Sequence, residues 1–366
     1  MNIVIVGSKG IPAKYGGYET FAEKISRQLE LANNNVVVVG DESSPSVDLT
    51  ENIKNYSIPV LKSKSPFEFW HKSVKYAVSL QPDAIIYCGV AGIFSYLYFY
   101  KYRHISFMNP DGLGFLRSKY GFLKKALLFI QYVLCAIMVR NIICDSYGIK
   151  KYFEDRMFRK RGLYVAEYGA EKNVQNSKKS KLYKQFIAER GIRDFTKFFL
   201  VIARLEPENN IKMILDAYLL SNNDAELWIV GGLNTPHYLN DLKPYAKYDG
   251  IRFLGGIYEE ELLQVIRLKA HLFIHGHSVG GTNPSLIEAM ASSNLIAAHF
   301  NQFNKAVLGK NAVYFSDSKE LEMIFRTDYL LNLDVDSMKK GVFKSWERDF
   351  TWPAIAQKYI KIIAQV

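Results

Sequence analysis

Strands and helices alternate along both halves of the chain, which predicts an α/β protein built from two doubly wound domains. Three observations carry this expectation. Short apolar runs recur, as in Met1–Gly7 (MNIVIVG), Asn35–Gly40 (NVVVVG) and Ala270–Ile274 (AHLFI). Glycine-bearing loops follow them and open into stretches with helical apolar spacing. At 366 residues, 49% apolar and 23% charged, the chain suits two domains that each bury a core.

Met1–Gly7 lacks polar alternation, as parallel strands buried on both faces do. Ser8–Tyr18 is a loop rich in Gly, Lys and Pro, and Glu19–Leu31 places Phe21, Ile25 and Leu29 at helical intervals. The loop has no GxGxxG, which argues against a dinucleotide site and a dehydrogenase. Gly16-Gly17 instead lies just before the helix, where bare backbone N–H groups can approach a phosphate. Asn35–Gly40 reads as a strand, Phe67–Leu80 as a helix, Ala84–Cys88 as a strand, Ile93–Tyr102 as an aromatic helix and His104–Met108 as a strand. Asn109-Pro110-Asp111-Gly112 is then a turn at a strand's C-terminal end, the edge that faces the ligand crevice in open α/β sheets. Asp111 could orient or deprotonate a hydroxyl there, or serve turn chemistry alone.

Net charge is +11, and residues 1–172 hold 23 Lys and Arg against 15 Asp and Glu. Such a balance favours an anionic partner, nucleic acid or a membrane face. No basic-aromatic nucleic-acid signature accompanies it, so nucleic acid is not expected. Leu116–Arg140 has a basic front (Arg117, Lys119, Lys124, Lys125) and then a mostly apolar run from Ala126 to Val139. The run is shorter than the roughly 20 residues of a membrane-spanning helix. It suits either a buried helix with a wet basic end or a helix resting on anionic lipid. Cys88, Cys135 and Cys144 lack paired spacing and read as buried thiols in a reducing compartment. No basic-then-apolar leader precedes the first strand, so no secretory signal is expected.

Residues 171–196 are polar and lysine-rich, and place a linker between domains at 1–172 and 173–349. Asn141–Cys144 before it reads as a strand, with a helix beginning at Ser146. Beyond it Lys197–Ile202 is a strand, Ala203–Asn210 (ARLEPENN) a loop and Ile211–Leu220 a helix. Strands are expected again at Ala225–Val230, Ile251–Leu254, Ala270–Ile274 and Leu295–His299, with a helix at Glu259–Lys269. His275–Ala291 (HGHSVGGTNPSLIEAMA) carries the strongest signal. Pro284 suits a first helical position, Asn283 or Thr282 can cap, and Gly280-Gly281 lets backbone approach a ligand. Free amides at Ser285 and Leu286, with the helix dipole, would form an anion site. Glu288, one turn in, could accept from two hydroxyls of a sugar. Phosphate and diol together describe a nucleotide-sugar; a capped core helix with a surface glutamate is the alternative. Arg204, at the edge of the first strand of the second domain, offers a charge to a diphosphate.

Two weaker signals carry no metal. Asp334-Val335-Asp336 reads as a helix cap rather than a metal motif. His275 and His277 have no third ligand at a suitable spacing and read as site-lining or buried. The tail from Trp346 to Val366 has helical spacing around Trp352, Ile355, Tyr359 and Ile362.

Six segments resemble the retaining glycosyltransferases of family 4, and more closely the bacterial rhamnosyltransferases of capsule and cell-wall polysaccharide synthesis. They are GSKGIPAKYGGYETFAEK (7–24), NPDG (109–112), CDSYGIKKY (144–152), YGAE (168–171), ARLEPENN (203–210) and HGHSVGGTNPSLIEAMA (275–291), in order along nearly the whole chain. The resemblance implies the GT-B fold, two Rossmann-like domains facing across a cleft, with a C-terminal helix at about 350–366 crossing back. It implies a donor site of Gly16, Gly17, Arg204, Asn209, Gly280, Gly281, Thr282, Asn283, Ser285 and Glu288. Tyr15, Asp111 and His277 fall on the acceptor side, and Arg204, Glu288 and Asp111 are the candidates for catalysis. It implies no metal or other cofactor, the nucleotide-sugar being a substrate. The donor would be dTDP-L-rhamnose and the acceptor a lipid-diphosphate-linked saccharide, at the anionic inner face of the plasma membrane, by a cytoplasmic peripheral protein. A UDP-hexose donor, or a non-catalytic GT-B partner of a membrane assembly, are the alternatives. The chain departs from the pattern twice: Asn209 stands at the family's lysine, and Gly280 at the first of its two glutamates.

Overall fold

The computed structural model describes residues 1–13, 17–41, 53–58, 65–117, 120–194, 196–232, 236–279 and 281–366. It contains two separate, wholly parallel sheets. The first has seven strands: β1 (Asn2–Val6), β2 (Asn35–Asp41), β3 (Ile53–Ile58), β4 (Ala84–Cys88), β5 (Ser106–Asn109), β6 (Asn141–Cys144) and β7 (Leu163–Val165). Their order is β3-β2-β1-β4-β5-β6-β7. The second has six: β8 (Phe198–Ile202), β9 (Glu226–Val230), β10 (Ile251–Gly255), β11 (Leu272–His275), β12 (Ile296–His299) and β13 (Val313–Phe315), ordered β10-β9-β8-β11-β12-β13.

Strand order reverses beside β1 and β4 in one sheet and beside β8 and β11 in the other. Ligand crevices in such sheets lie at the carboxyl ends of the strands flanking that switch. The loops emerging there are those the sequence singles out: 7–17 after β1, 203–210 after β8 and 276–283 after β11. The strands are apolar because both faces are covered. Ile3 and Ile5 pack into one layer with Phe21 and Ile25 of the helix Gly17–Leu31, while Val4 and Val6 pack into the other with Trp70 and Tyr87. In the second sheet Phe198 stacks on Trp228 across neighbouring strands, with ring centroids 3.8 Å apart.

The chain crosses between sheets twice at one place. Ala170 and Thr351 form an isolated bridge, and the Ala170 N–H donates to the Phe350 carbonyl at 2.9 Å. Thr351 then caps the helix Trp352–Ala364, accepting from Ala354 N. That helix returns to the first sheet and buries Trp352, Ile355, Tyr359 and Ile363 beside Phe21 and Ile25.

The expected elements differ in detail. The aromatic stretch from Ile93 is an α-helix only to Tyr98, followed by a 3-10 turn at Tyr100–Tyr102. The Leu116–Arg140 stretch forms the helix Phe122–Met138, which buries Gln131, Tyr132, Cys135 and Ala136. Its other face is open: Phe122 and Leu123 are 84% and 83% exposed, and Leu127, Phe129, Ile130 and Ile137 are exposed as well. Neither a buried helix nor a membrane span describes it, and no helix among the described residues is long and apolar enough to cross a membrane. Asp334 caps the helix Val335–Asp349, accepting from Ser337 N at 3.1 Å, as expected of Asp334-Val335-Asp336.

Candidate functional site

The Asn109–Gly112 turn leaves β5 at the crevice edge. The Asp111 N–H donates to Asn109 Oδ1 at 2.9 Å, and Asp111 adopts a left-handed backbone (φ 61°) that Asp tolerates better than most residues. Tyr132, on the inner face of the helix Phe122–Met138, donates to the Pro110 carbonyl at 2.9 Å and also meets the Gly112 carbonyl. Tyr168 donates to Asp111 Oδ1 at 3.5 Å. The turn is therefore held from two sides, by Tyr132 and by Tyr168. Burial raises the Asp111 carboxyl above the usual carboxylate range, while the charges of Arg117 and, further down, Arg204 pull it back. Arg204 follows a strand of the other sheet, and its charge is the weakest of those acting on Asp111.

Arg204 follows β8 and is partly exposed; its guanidinium lies 3.8 Å from the fully buried Glu206 carboxylate. The loop that carries it is locked to the loop after β11. Asn209 Nδ2 donates to the Arg204 carbonyl at 2.8 Å, and Asn209 Oδ1 lies 2.7 Å from His277 Nδ1. Asn210 Nδ2 donates to the Gly276 carbonyl at 2.7 Å, and the Ser278 amide and hydroxyl both donate to the Glu208 carbonyl. A Cβ at Gly276 would lie 2.2 Å from the Asn209 carbonyl oxygen, so only glycine permits this contact. Asn209, where the resemblance expects lysine, is a buried connector between the two loops rather than a free charge.

At the 281–291 turn, Asn283 caps the helix Pro284–Ala291, as expected. The cap overturns the expected anion site in one respect. Asn283 Oδ1 accepts from the Ser285 amide at 3.1 Å and the Ser285 hydroxyl at 3.0 Å, and the Leu286 amide donates to the Asn283 carbonyl at 3.0 Å. Neither amide is free to meet a phosphate in this conformation. Glu288 is met by Arg267 of the helix Glu260–Lys269; Arg267 is buried and Glu288 partly exposed. The expected sugar-binding carboxylate is thus held by a buried cation.

Gly281 and Thr282 reach across to the first sheet. The Thr282 amide donates to Asp145 Oδ2 at 3.3 Å, and the Thr282 hydroxyl donates to the Asp145 carbonyl. Asp145 directly follows β6 and is buried. Burial pushes its carboxyl well above the usual range, and the Asp111 charge adds to the rise. Asp145 falls within CDSYGIKKY, Tyr168 within YGAE and Tyr132 within the apolar run after Lys125, but the sequence assigns none of the three a role of its own.

Of the remaining expected residues, Gly17 is the exposed first residue of its helix. Earlier in the chain, Lys9 N donates to Glu19 Oε1 at 3.0 Å and Ala13 N to Glu23 Oε2 at 2.7 Å. Tyr15, Gly16 and Gly280 lie outside the described residues. His275 is buried, and burial with the neighbouring His277 drives its imidazole down to about 3, so it stays neutral. No group of three or more His, Cys, Asp or Glu that could hold a metal ion occurs among the described residues.

Residues 183–323 match the family model of glycosyl transferases group 1, and residues 1–171 match a domain of unknown function, DUF1972. The chain is 27% identical over 194 residues to alpha-monoglucosyldiacylglycerol synthase of Streptococcus pneumoniae (strain ATCC BAA-255 / R6), covering 49% of this chain and 42% of that protein. The match thus spans less than half the length of this relative. Among solved structures, sucrose-phosphate synthase from Thermosynechococcus elongatus superposes with a TM-score of 0.79 at 15% identity, over 100% of this chain and 98% of that one. Anabaena HepE in complex with UDP and glucose gives 0.75 at 15% identity over 100% of both chains. These likenesses establish the fold: the two facing Rossmann-like sheets are the GT-B arrangement.

Proposed function

We propose that the chain is a retaining glycosyltransferase whose nucleotide-sugar lies between Arg204 and the 276–283 loop on one side and the Asp111 turn on the other. The carrying observation is that Arg204 and the Gly281–Thr282 turn, both at strand ends of the second sheet, face Asp111 and Asp145 at strand ends of the first. The resemblance of six ordered segments to rhamnosyltransferases supports dTDP-L-rhamnose as donor. UDP and glucose in the HepE structure favour a UDP-hexose as the second reading.

In the reaction, the bond from the sugar's anomeric carbon to the diphosphate oxygen breaks. A bond from the acceptor hydroxyl oxygen forms on the same face, and the hydroxyl proton passes to the departing phosphate oxygen. Arg204 stabilises the charge that develops on the leaving diphosphate. Asp111, held by Tyr168 and the Asn109 side chain, orients the acceptor hydroxyl. No nucleophilic side chain is required.

A lipid-diphosphate-linked saccharide is the acceptor in this reading, reached at an anionic membrane face. The helix Phe122–Met138 supports it: its outer face is apolar and exposed, it contains no acidic residue, and Lys124 and Lys125 lie in its first turn. The same helix carries Tyr132, which fixes the Asp111 turn.

The deciding experiment incubates the full chain with a panel of nucleotide-sugars, including dTDP-L-rhamnose and UDP-glucose, and reads nucleoside diphosphate release by mass spectrometry. Turnover of dTDP-L-rhamnose is expected. Turnover of UDP-glucose alone would move the donor to the second reading. Failure of dTDP and UDP to bind at all would leave a non-catalytic GT-B protein.

A further inference from the structure

Asp145 occupies an unusual place for an acid. It sits at the end of β6, is 1% exposed, and its backbone is held between the strand and the Ser146 cap of the helix Tyr147–Arg156. Beside a local contact with the Ser146 side chain, its carboxyl and its carbonyl both reach one residue at the edge of the other sheet, Thr282, 137 positions away. The approach is close enough to dictate the sequence on the far side. Gly281 has φ +88°, and a Cβ there would lie 2.7 Å from Asp145 Oδ2 and 3.4 Å from the Cα of Gly112. Three chain segments therefore converge on one point: the end of β6, the 281–282 turn and the 109–112 turn that bears Asp111.

The location separates this contact from ordinary packing between halves. The covalent crossings lie at Ala170 and Thr351, where a backbone bridge already joins the chain. The Asp145–Thr282 link lies instead among the strand ends that carry the proposed site. The second carboxylate oxygen, Oδ1, is buried and makes no regular hydrogen bond among the described residues. An acid in that setting costs stability.

We infer that Asp145 is a positioning residue for the transfer reaction, latching the Gly281–Thr282 turn against the Asp111 turn so that donor-side and acceptor-side groups meet in one register. The assignment rests on the glycosyltransferase reading for its chemistry but not for its geometry. Asp145 acts through Thr282 and touches no reacting atom. Asparagine, which keeps an oxygen for the Thr282 amide, preserves the latch; alanine opens it.

The test uses the full chain and four variants: Asp145→Ala, Asp145→Asn, Thr282→Val and Gly281→Ala. Hydrogen exchange by mass spectrometry follows the peptide 277–288. Exchange at the Thr282 amide is expected to rise about tenfold in Asp145→Ala, as loss of one buried hydrogen bond allows, and to stay near wild type in Asp145→Asn. Calorimetry with dTDP and UDP is expected to give affinities within about threefold of wild type in the two Asp145 variants, while kcat for diphosphate release falls about a hundredfold in Asp145→Ala and recovers in Asp145→Asn. Thr282→Val, nearly isosteric, and Gly281→Ala report the same loss where Asp145→Ala is poorly folded. Unchanged exchange in Asp145→Ala overturns the latch. Opened exchange with unchanged kcat overturns the positioning role, as does loss of nucleotide affinity in step with melting temperature in all four variants. A wild type that turns over no nucleotide-sugar overturns the function, while exchange still decides the latch.

Discussion

Arg267 sets its guanidinium against the Glu288 carboxylate, with Arg267 4% exposed and Glu288 42%. A cation that buried depends on its partner. Removing one member of a buried pair costs about 3–5 kcal/mol, and the half-open setting of Glu288 lowers this to about 2–3 kcal/mol. Glu288→Ala is therefore expected to lower the melting temperature as well as nucleotide affinity. Glu288→Gln keeps an acceptor for Arg267 and is expected to melt nearer wild type while still binding dTDP more weakly. Calorimetry beside thermal unfolding checks the pair; equal dTDP binding in wild type and Glu288→Gln would remove Glu288 from the donor site.

Arg204 is partly exposed, with the Glu206 carboxylate 3.8 Å away. Truncating a charge-assisted hydrogen bond to a diphosphate loses about 1.5–3 kcal/mol, so Arg204→Ala is expected to weaken dTDP or UDP binding by roughly ten- to a hundredfold. Its fold is expected to be intact, since the side chain supports no core. Titration calorimetry at fixed salt reads this directly, and an unchanged Kd would place the diphosphate elsewhere.

The sheets were legible because central parallel strands must be apolar throughout, and MNIVIVG and NVVVVG are. Three strands were not. β3 (IKNYSI) is half polar, and β7 (LYV) and β13 (VYF) are too short for any periodicity to show. In the site, local pattern located the Asn283 cap but not its consequence, that capping consumes the Ser285 and Leu286 amides. Arg204 and Asp111 were legible as strand-end residues. The Asp145–Thr282 link was not, because nothing local to either residue encodes a contact 137 positions away.

Asn209 has a structural role of its own where the resemblance expects lysine. Its amide nitrogen holds the Arg204 carbonyl and its oxygen meets His277, so both loops at the second sheet's switch point depend on it. Restoring the family's lysine removes both bonds and buries a charge. Asn209→Lys is thus expected to weaken dTDP binding about tenfold or more, rather than strengthen it, with each lost buried hydrogen bond worth about 1 kcal/mol. Calorimetry on this variant separates the two views: a gain in affinity would mean that diphosphate, not loop geometry, governs position 209.

The outer face of the helix Phe122–Met138 gives a prediction independent of activity. Beside Phe129 and Ile137 a cavity of 220 Å³ runs to Tyr152, Met157 and the exposed Phe158, which widens the apolar surface. The full chain is expected to float with vesicles containing anionic phospholipid. Leu127→Glu with Ile130→Glu is expected to abolish flotation without lowering the melting temperature, because both side chains are exposed. Lys124→Glu with Lys125→Glu is expected to weaken binding to anionic vesicles by about 1 kcal/mol per lysine and to leave binding to neutral vesicles unchanged. A dimer by light scattering that the Leu127 and Ile130 changes dissolve would instead assign the face to a second copy of the chain.

Asp145 yields a pH dependence whose sign is fixed by its surroundings. Burial first, and the Asp111 charge second, raise its carboxyl well above the ordinary value, so the folded protein holds a proton that the unfolded chain releases near pH 3.9. A raised acid contributes its full stability below the unfolded value and loses it as pH rises towards the folded one. Asparagine carries no such proton and keeps the acceptor for the Thr282 amide. Asp145→Asn is therefore expected to match wild type in melting temperature near pH 4 and to exceed it increasingly as the pH is raised above that. Asp111→Asn is expected to steepen the comparison less, because it lifts only the secondary cause. Melting curves of wild type and both variants across the range decide it: a wild type that gains on Asp145→Asn with rising pH would show an ionised, stabilising Asp145 and reverse the electrostatic picture of the crevice.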